Sequence, residues 1–103
     1  MLKGNEKLNI QIVKDTLKPV FKNYNLKKVV LFGSVAKNTN RIDSDIDLLV
    51  DSGLKGLEFL GLVESIRETI NKDVDIFDVM HIDNGSLIDK EIRKSGVVIY
   101  DQN

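Results

Sequence analysis

The sequence predicts an α/β or α+β fold, with helices layered on one small sheet, and three observations carry that reading. Apolar residues recur at helical spacing over two long segments, 6–24 and 57–70. Three short segments rich in β-branched and aromatic residues, 26–32, 45–51 and 74–79, read as strands. These helical and extended segments alternate along the chain. A length of 103 residues allows one core, because a domain typically takes roughly 100–150 residues, so residues 1–103 are read as a single domain.

The first helix spans Glu6 to Tyr24, with Leu8, Ile12, Leu17, Val20 and Tyr24 on its stripe and Val13 and Phe21 widening it. Pro19 removes a hydrogen bond from its interior, so a kink or a break between Leu17 and Val20 is expected. Leu26 to Phe32 is nearly continuous in its apolar part, as in a strand covered on both faces. Gly33-Ser34 ends that strand, and a short helix is expected to start at Ser34, whose hydroxyl can cap free N–H groups. Asn38, Thr39 and Asn40 return the chain through a loop.

In the second strand the residues alternate strictly, with Asp45, Asp47, Leu49 and Asp51 on one face and Ile46, Leu48 and Val50 on the other. A second helical stripe follows, made of Leu57, Leu60, Val63, Ile66 and Ile70. In the third strand Val74 and Ile76 face one way and Asp75 and Phe77 the other. A short helix from Ser86 to Lys94 closes on Gly96, and Val97 to Tyr100 reads as a last edge strand.

Composition excludes several classes of function. Hydrophobic residues at 42% and charged residues at 30% are ordinary for a globular chain and argue against disorder. Fifteen basic residues against sixteen acidic ones leave a net charge of -1, which provides no basic footprint for duplex nucleic acid. The absence of cysteine rules out disulfides, thiolate metal sites and a cysteine nucleophile. His81 is the sole histidine, so neither a histidine triad nor a histidine-rich zinc site exists, and a surface loop is its expected place. Lys3, Glu6 and Lys7 interrupt the N-terminal stretch, so no secretory signal is expected, and no run approaches the ~20 apolar residues of a membrane span. A cytoplasmic protein is the expectation.

Two carboxylates two residues apart on a strand leave the same face about 6.5–7 Å apart, so Asp45 and Asp47 can converge on one site. Like charges at that range resist joint ionisation unless a cation lies between them. An oxygen-only ligand set favours Mg²⁺ or Mn²⁺ over zinc. Asp75 supplies a third carboxylate if its strand lies beside the second; it is preferred over Asp73 and Asp78 because its neighbours Val74 and Ile76 face the core. Three carboxylates can hold two metals about 3.5–4 Å apart, an arrangement suited to phosphoryl or nucleotidyl transfer. Gly33 would let a phosphate approach the backbone, and the helix after it would point N–H groups at the anion.

Read together, Leu31-Phe32-Gly33-Ser34, Ala36, Ser44-Asp45-Ile46-Asp47-Leu48-Leu49-Val50 and Val74-Asp75-Ile76 resemble the minimal nucleotidyltransferases of the DNA polymerase beta superfamily. The resemblance covers residues 20–100 and implies a mixed sheet flanked by helices, the nucleotidyltransferase fold. It further implies that Gly33 and Ser34 bind a nucleoside triphosphate, that Asp45 and Asp47 ligate Mg²⁺, with two ions in the full site, and that Asp75 activates the incoming hydroxyl. Where the family shows Gly-Ser, a variable residue and Ala-Arg-Gly, this chain has Val35, Ala36, Lys37 and Asn38. Lys37 keeps the charge but not the two-pronged fork of arginine, and Arg41 offers a second cation for the phosphates.

The implied reaction transfers a nucleoside monophosphate, AMP from ATP, to an acceptor hydroxyl, and the implied partner is a HEPN-domain toxin modified on a tyrosine. An alternative keeps the partner and drops the chemistry: an antitoxin that acts by complex formation alone. A small sheet with an open last strand also suits self-association.

Overall fold

The computed structural model describes residues 7–102. Its elements are α1 (Ile10–Asn23), β1 (Lys28–Phe32), α2 (Gly33–Lys37), β2 (Ile46–Asp51), α3 (Leu57–Ile70), β3 (Val74–Asp78), α4 (Leu87–Ser95) and β4 (Val97–Asp101), with a 3-10 turn at Val79–His81. The strands form one sheet in the order β3-β2-β1-β4. Strand β1 runs antiparallel to both β2 and β4, while β2 and β3 are parallel, joined through α3. The sheet is therefore mixed and flanked by helices, as the sequence leads one to expect. Among the described residues no helix is long and apolar enough to cross a membrane.

One face of the sheet carries the core. Val29, Leu31, Ile46, Leu48, Val50 and Val74 are buried there against Val13, Leu17 and Phe21 of α1 and Leu62, Ile66 and Ile70 of α3. Burying a side chain of this size stabilises the fold by about 1.5–3 kcal/mol, so this face supplies most of the driving force. A hydrogen bond of 3.0 Å between Tyr24 and Ser65 ties the two helices together at its margin. Helix α4 lies across the opposite face, where Gly96 at its end meets β1. A Cβ at Gly96 would lie 2.5 Å from Ile92 O and 2.9 Å from Val30 Cγ1, so close packing requires glycine here.

Four local expectations change. Helix α1 begins at Ile10, capped by the Asn9 side chain accepting from Ile12 N at 2.8 Å, while Glu6 lies outside the described residues. The helix runs unbroken through Pro19, which sits on the exposed side, where water can meet the carbonyl left without a donor. Helix α2 begins at Gly33 with Phe32 at the cap position and no side-chain cap bond, so Ser34 lies inside the first turn. On α3, Leu57 and Leu60 are 85% and 57% exposed. The buried stripe there is Leu62, Ile66 and Ile70.

Candidate active site

Strand register brings two of the acidic side chains together. Asp47 of β2 is directly paired with Phe32 of β1 on one side and with Asp75 of β3 on the other. The alternation of β2 buries Ile46, Leu48 and Val50 and leaves Asp47, Leu49 and Asp51 half-buried on the second face. Asp75 is exposed on that same face. Asp45, just ahead of β2, is also exposed. Of the competing acids, Asp78 is buried and turned away: its carboxylate accepts from Ser52 Oγ at 2.6 Å and from Met80 N at 3.0 Å.

The electrostatics of the cluster appear in Asp47. Its pKa is raised from 3.8 to about 6, first by burial, then by the charges of Asp75 and Asp45 and a side-chain hydrogen bond with Asp75, and last by Glu91. The charges acting on it are thus all negative, which is the condition a hard divalent cation would relieve. The donor set is oxygen only, so these residues fit Mg²⁺ or Mn²⁺. Among the described residues no three such side chains are already closed into a cation cage.

Gly33 lies against the cluster. It has φ +76, a left-handed conformation that favours glycine, and a Cβ added there would fall on Asp47 Oδ2. Glycine is therefore demanded twice, by its backbone and by the carboxylate above it. Ser34, half-buried in the first turn of α2, accepts at its carbonyl from Thr39 N at 3.0 Å, and Asn38 ends the helix with φ 58. Asparagine tolerates that left-handed turn better than most residues, so the backbone of the loop keeps its course at Asn38.

The two expected cations stand differently. Lys37 is 2.9 Å from Glu91 Oε1, bridging α2 to α4. Arg41 is exposed on a tight turn closed by Arg41 N donating to Ser44 Oγ at 2.8 Å and Ser44 N donating to Arg41 O at 3.1 Å. No ion pair joins either of them to Asp45, Asp47 or Asp75 among the described residues. Glu91 is the neighbour that the sequence reading missed: α4 reads locally as an amphipathic helix, and only its long-range path across β1 places Glu91 beside Lys37 and within the field of Asp47.

Residues 15–103 match the family model described as polymerase beta, nucleotidyltransferase. The chain belongs to that family and is a nucleotidyltransferase. It is 35% identical over 72 residues to a proposed protein adenylyltransferase of Methanocaldococcus jannaschii, covering 67% of this chain and 76% of that one. Among solved structures, a toxin-antitoxin complex with AMP-PNP superposes with a TM-score of 0.72 at 19% identity, covering 87% of this chain and 74% of that one. An MNT antitoxin bound to a tri-AMPylated HEPN toxin from Shewanella oneidensis gives 0.67 at 18% identity, over 90% and 73% of the two chains. A proposed minimal nucleotidyltransferase gives 0.69 at 21% identity, over 89% and 97%.

Proposed function

We propose that this nucleotidyltransferase transfers AMP from ATP to a hydroxyl of a partner protein, a tyrosine of a HEPN-type toxin, and acts as that toxin's antitoxin. The observation that carries the reading is the side-by-side placement of Asp47 and Asp75 on one sheet face, with Gly33 directly beneath Asp47. The adenylyltransferase relative and the AMPylated toxin complex support the choice of nucleotide and acceptor.

In this reading the Gly33 and Ser34 backbone receives the triphosphate, with Lys37 and Arg41 as the nearby cations. Asp75, exposed on the edge strand, faces the incoming acceptor and takes the hydroxyl proton. The acceptor oxygen forms a bond to the α-phosphorus, the bond from that phosphorus to the bridging oxygen breaks, and pyrophosphate leaves. Asp45, Asp47 and Asp75 would hold Mg²⁺, two ions in the full arrangement, which when bound neutralises phosphate charge and lowers the pKa of the attacking oxygen. The test is radiolabel transfer from ATP labelled at its α-phosphate to a co-expressed HEPN partner. Asp45→Asn with Asp47→Asn should abolish it, and persistent transfer would refute the assignment.

One observation favours the contact-only alternative. Lys37 is engaged by Glu91 rather than left to face a phosphate. If the same double variant still protects cells from the toxin, binding alone is the function.

A further inference from the structure

The strands that carry Asp47 and Asp75 are held differently. Strand β2 lies between β1 and β3, whereas β3 is an edge whose sole strand neighbour among the described residues is β2. Asp47 is therefore anchored by pairing on both flanks, and Asp75, the second residue of β3, by pairing on one. In the parallel register Ile46 is paired with Val74, and Ile46 N donates to Asp73 O at 3.1 Å. Backbone groups alternate in direction along a strand. With the Asp73 carbonyl turned to β2, the Val74 carbonyl points out over the open edge and the Asp75 N–H turns back toward Ile46. Helix α3 supplies the partner that the edge lacks. Arg67, in its last turn, donates to Val74 O from Nε at 3.3 Å and from Nη2 at 3.1 Å. The arginine is itself held in place, because Asn71 ends the helix at φ 54 and Asn71 N donates to Arg67 O at 2.8 Å. Residue 67 thus ties the helix end at its carbonyl and the strand start at its guanidinium.

We propose that Arg67 is a positioning residue for the transfer reaction: by gripping the Val74 carbonyl on the open edge of the sheet, it fixes the start of β3 and holds the Asp75 carboxylate level with Asp47. This rests on the reading above in which Asp75 takes the acceptor's proton. Arg67 acts through Val74 and contacts no reacting atom in this role. Two donors from one planar, charged group fix direction as well as distance, which the single point charge of an ammonium does not. The effect falls on the rate of transfer and spares nucleotide binding, which in the same reading belongs to Gly33 and Ser34, across β2 from the clamp. A cation in the last turn of α3 also favours the helix dipole without touching β3. Lysine serves the dipole as well as arginine does and serves the clamp poorly, so the two roles separate.

The experiment compares the whole chain with Arg67→Ala and Arg67→Lys by amide hydrogen exchange, thermal melting and label transfer from ATP labelled at its α-phosphate to the HEPN partner. Exchange at the Asp75 amide should rise by roughly tenfold or more in Arg67→Ala, well beyond any change at Leu48 of the inner strand β2. In the same variant kcat should fall by roughly tenfold or more, with KM for ATP within about twofold of its original value. Arg67→Lys should keep the melting temperature and recover only part of kcat. Unchanged exchange at Asp75 in Arg67→Ala overturns the proposal, as does a rise that Leu48 shares equally, the mark of general loosening. Full recovery of exchange and kcat by Arg67→Lys assigns the arginine to the helix dipole and overturns it too, as does an unchanged kcat in Arg67→Ala. Faster exchange confined to the start of β3, with no label transferred even by the unmodified chain, overturns the transfer reading and leaves the clamp on Asp75 standing.

Discussion

Strand β2 presents two different surfaces within six residues. Ile46, Leu48 and Val50 are fully buried against α1 and α3, where their only role is packing. Asp47, Leu49 and Asp51 alternate with them and stay half-buried on the face that α4 covers incompletely. The first surface stabilises the molecule. The second costs it stability, because Asp47 is held beside Asp75 and Asp45 with its pKa raised to about 6. The two surfaces thus contribute oppositely to stability, and the substitutions below separate them or, at Gly33, couple them.

The largest effect belongs to the acidic face. Asn at both Asp45 and Asp47 should lower nucleotidyl transfer by roughly 10³-fold or more, measured as label per unit time, while the chain remains folded by circular dichroism. Next comes the packed face. Leu48→Ala should cost about 2–5 kcal/mol in urea unfolding, since its side chain is wholly enclosed. Gly33→Ala joins the two surfaces. Its strained φ and its collision with Asp47 should cost about 1–3 kcal/mol and reduce transfer together.

A smaller effect has the opposite sign. The folded pKa of Asp47 lies above its ordinary value of 3.8, so its charge opposes folding above about pH 6 and that penalty fades as pH falls toward 4. Asp47→Asn should therefore raise stability at pH 7 by about 1 kcal/mol, a value reduced for partial solvent exposure. In thermal melts the variant should lack the gain that the unmodified chain shows on acidification from pH 7 to pH 5. Smallest of all, Glu91→Gln should leave the thermal midpoint nearly unchanged, because its ion pair with Lys37 is solvent-exposed.

Much of this was legible in the sequence because it depends on short-range period. The alternation from Asp45 to Val50 by itself places the acids and the core residues on opposite faces, and Val74 and Ile76 orient Asp75 by the same logic. Features that depend on distant contacts were not legible. Leu57 and Leu60 have helical spacing, yet they stay exposed while Leu62, Ile66 and Ile70 of the same helix are buried, and nothing local separates the two groups. Lys37 reads as a phosphate ligand until α4 crosses β1 and sets Glu91 beside it. In the sequence Gly33 offers room for a phosphate; that its Cβ would strike Asp47 follows only from the pairing of β1 with β2.

The claim on which the account depends is that the acidic side chains of β2 and β3 share one electrostatic site open to a cation. Carbon-13 NMR titration of the Asp47 carboxyl tests it directly. A midpoint of about 6 is expected, moving toward the ordinary aspartate range with Asp75→Asn or with millimolar Mg²⁺. A midpoint near 4 that neither change shifts would contradict it.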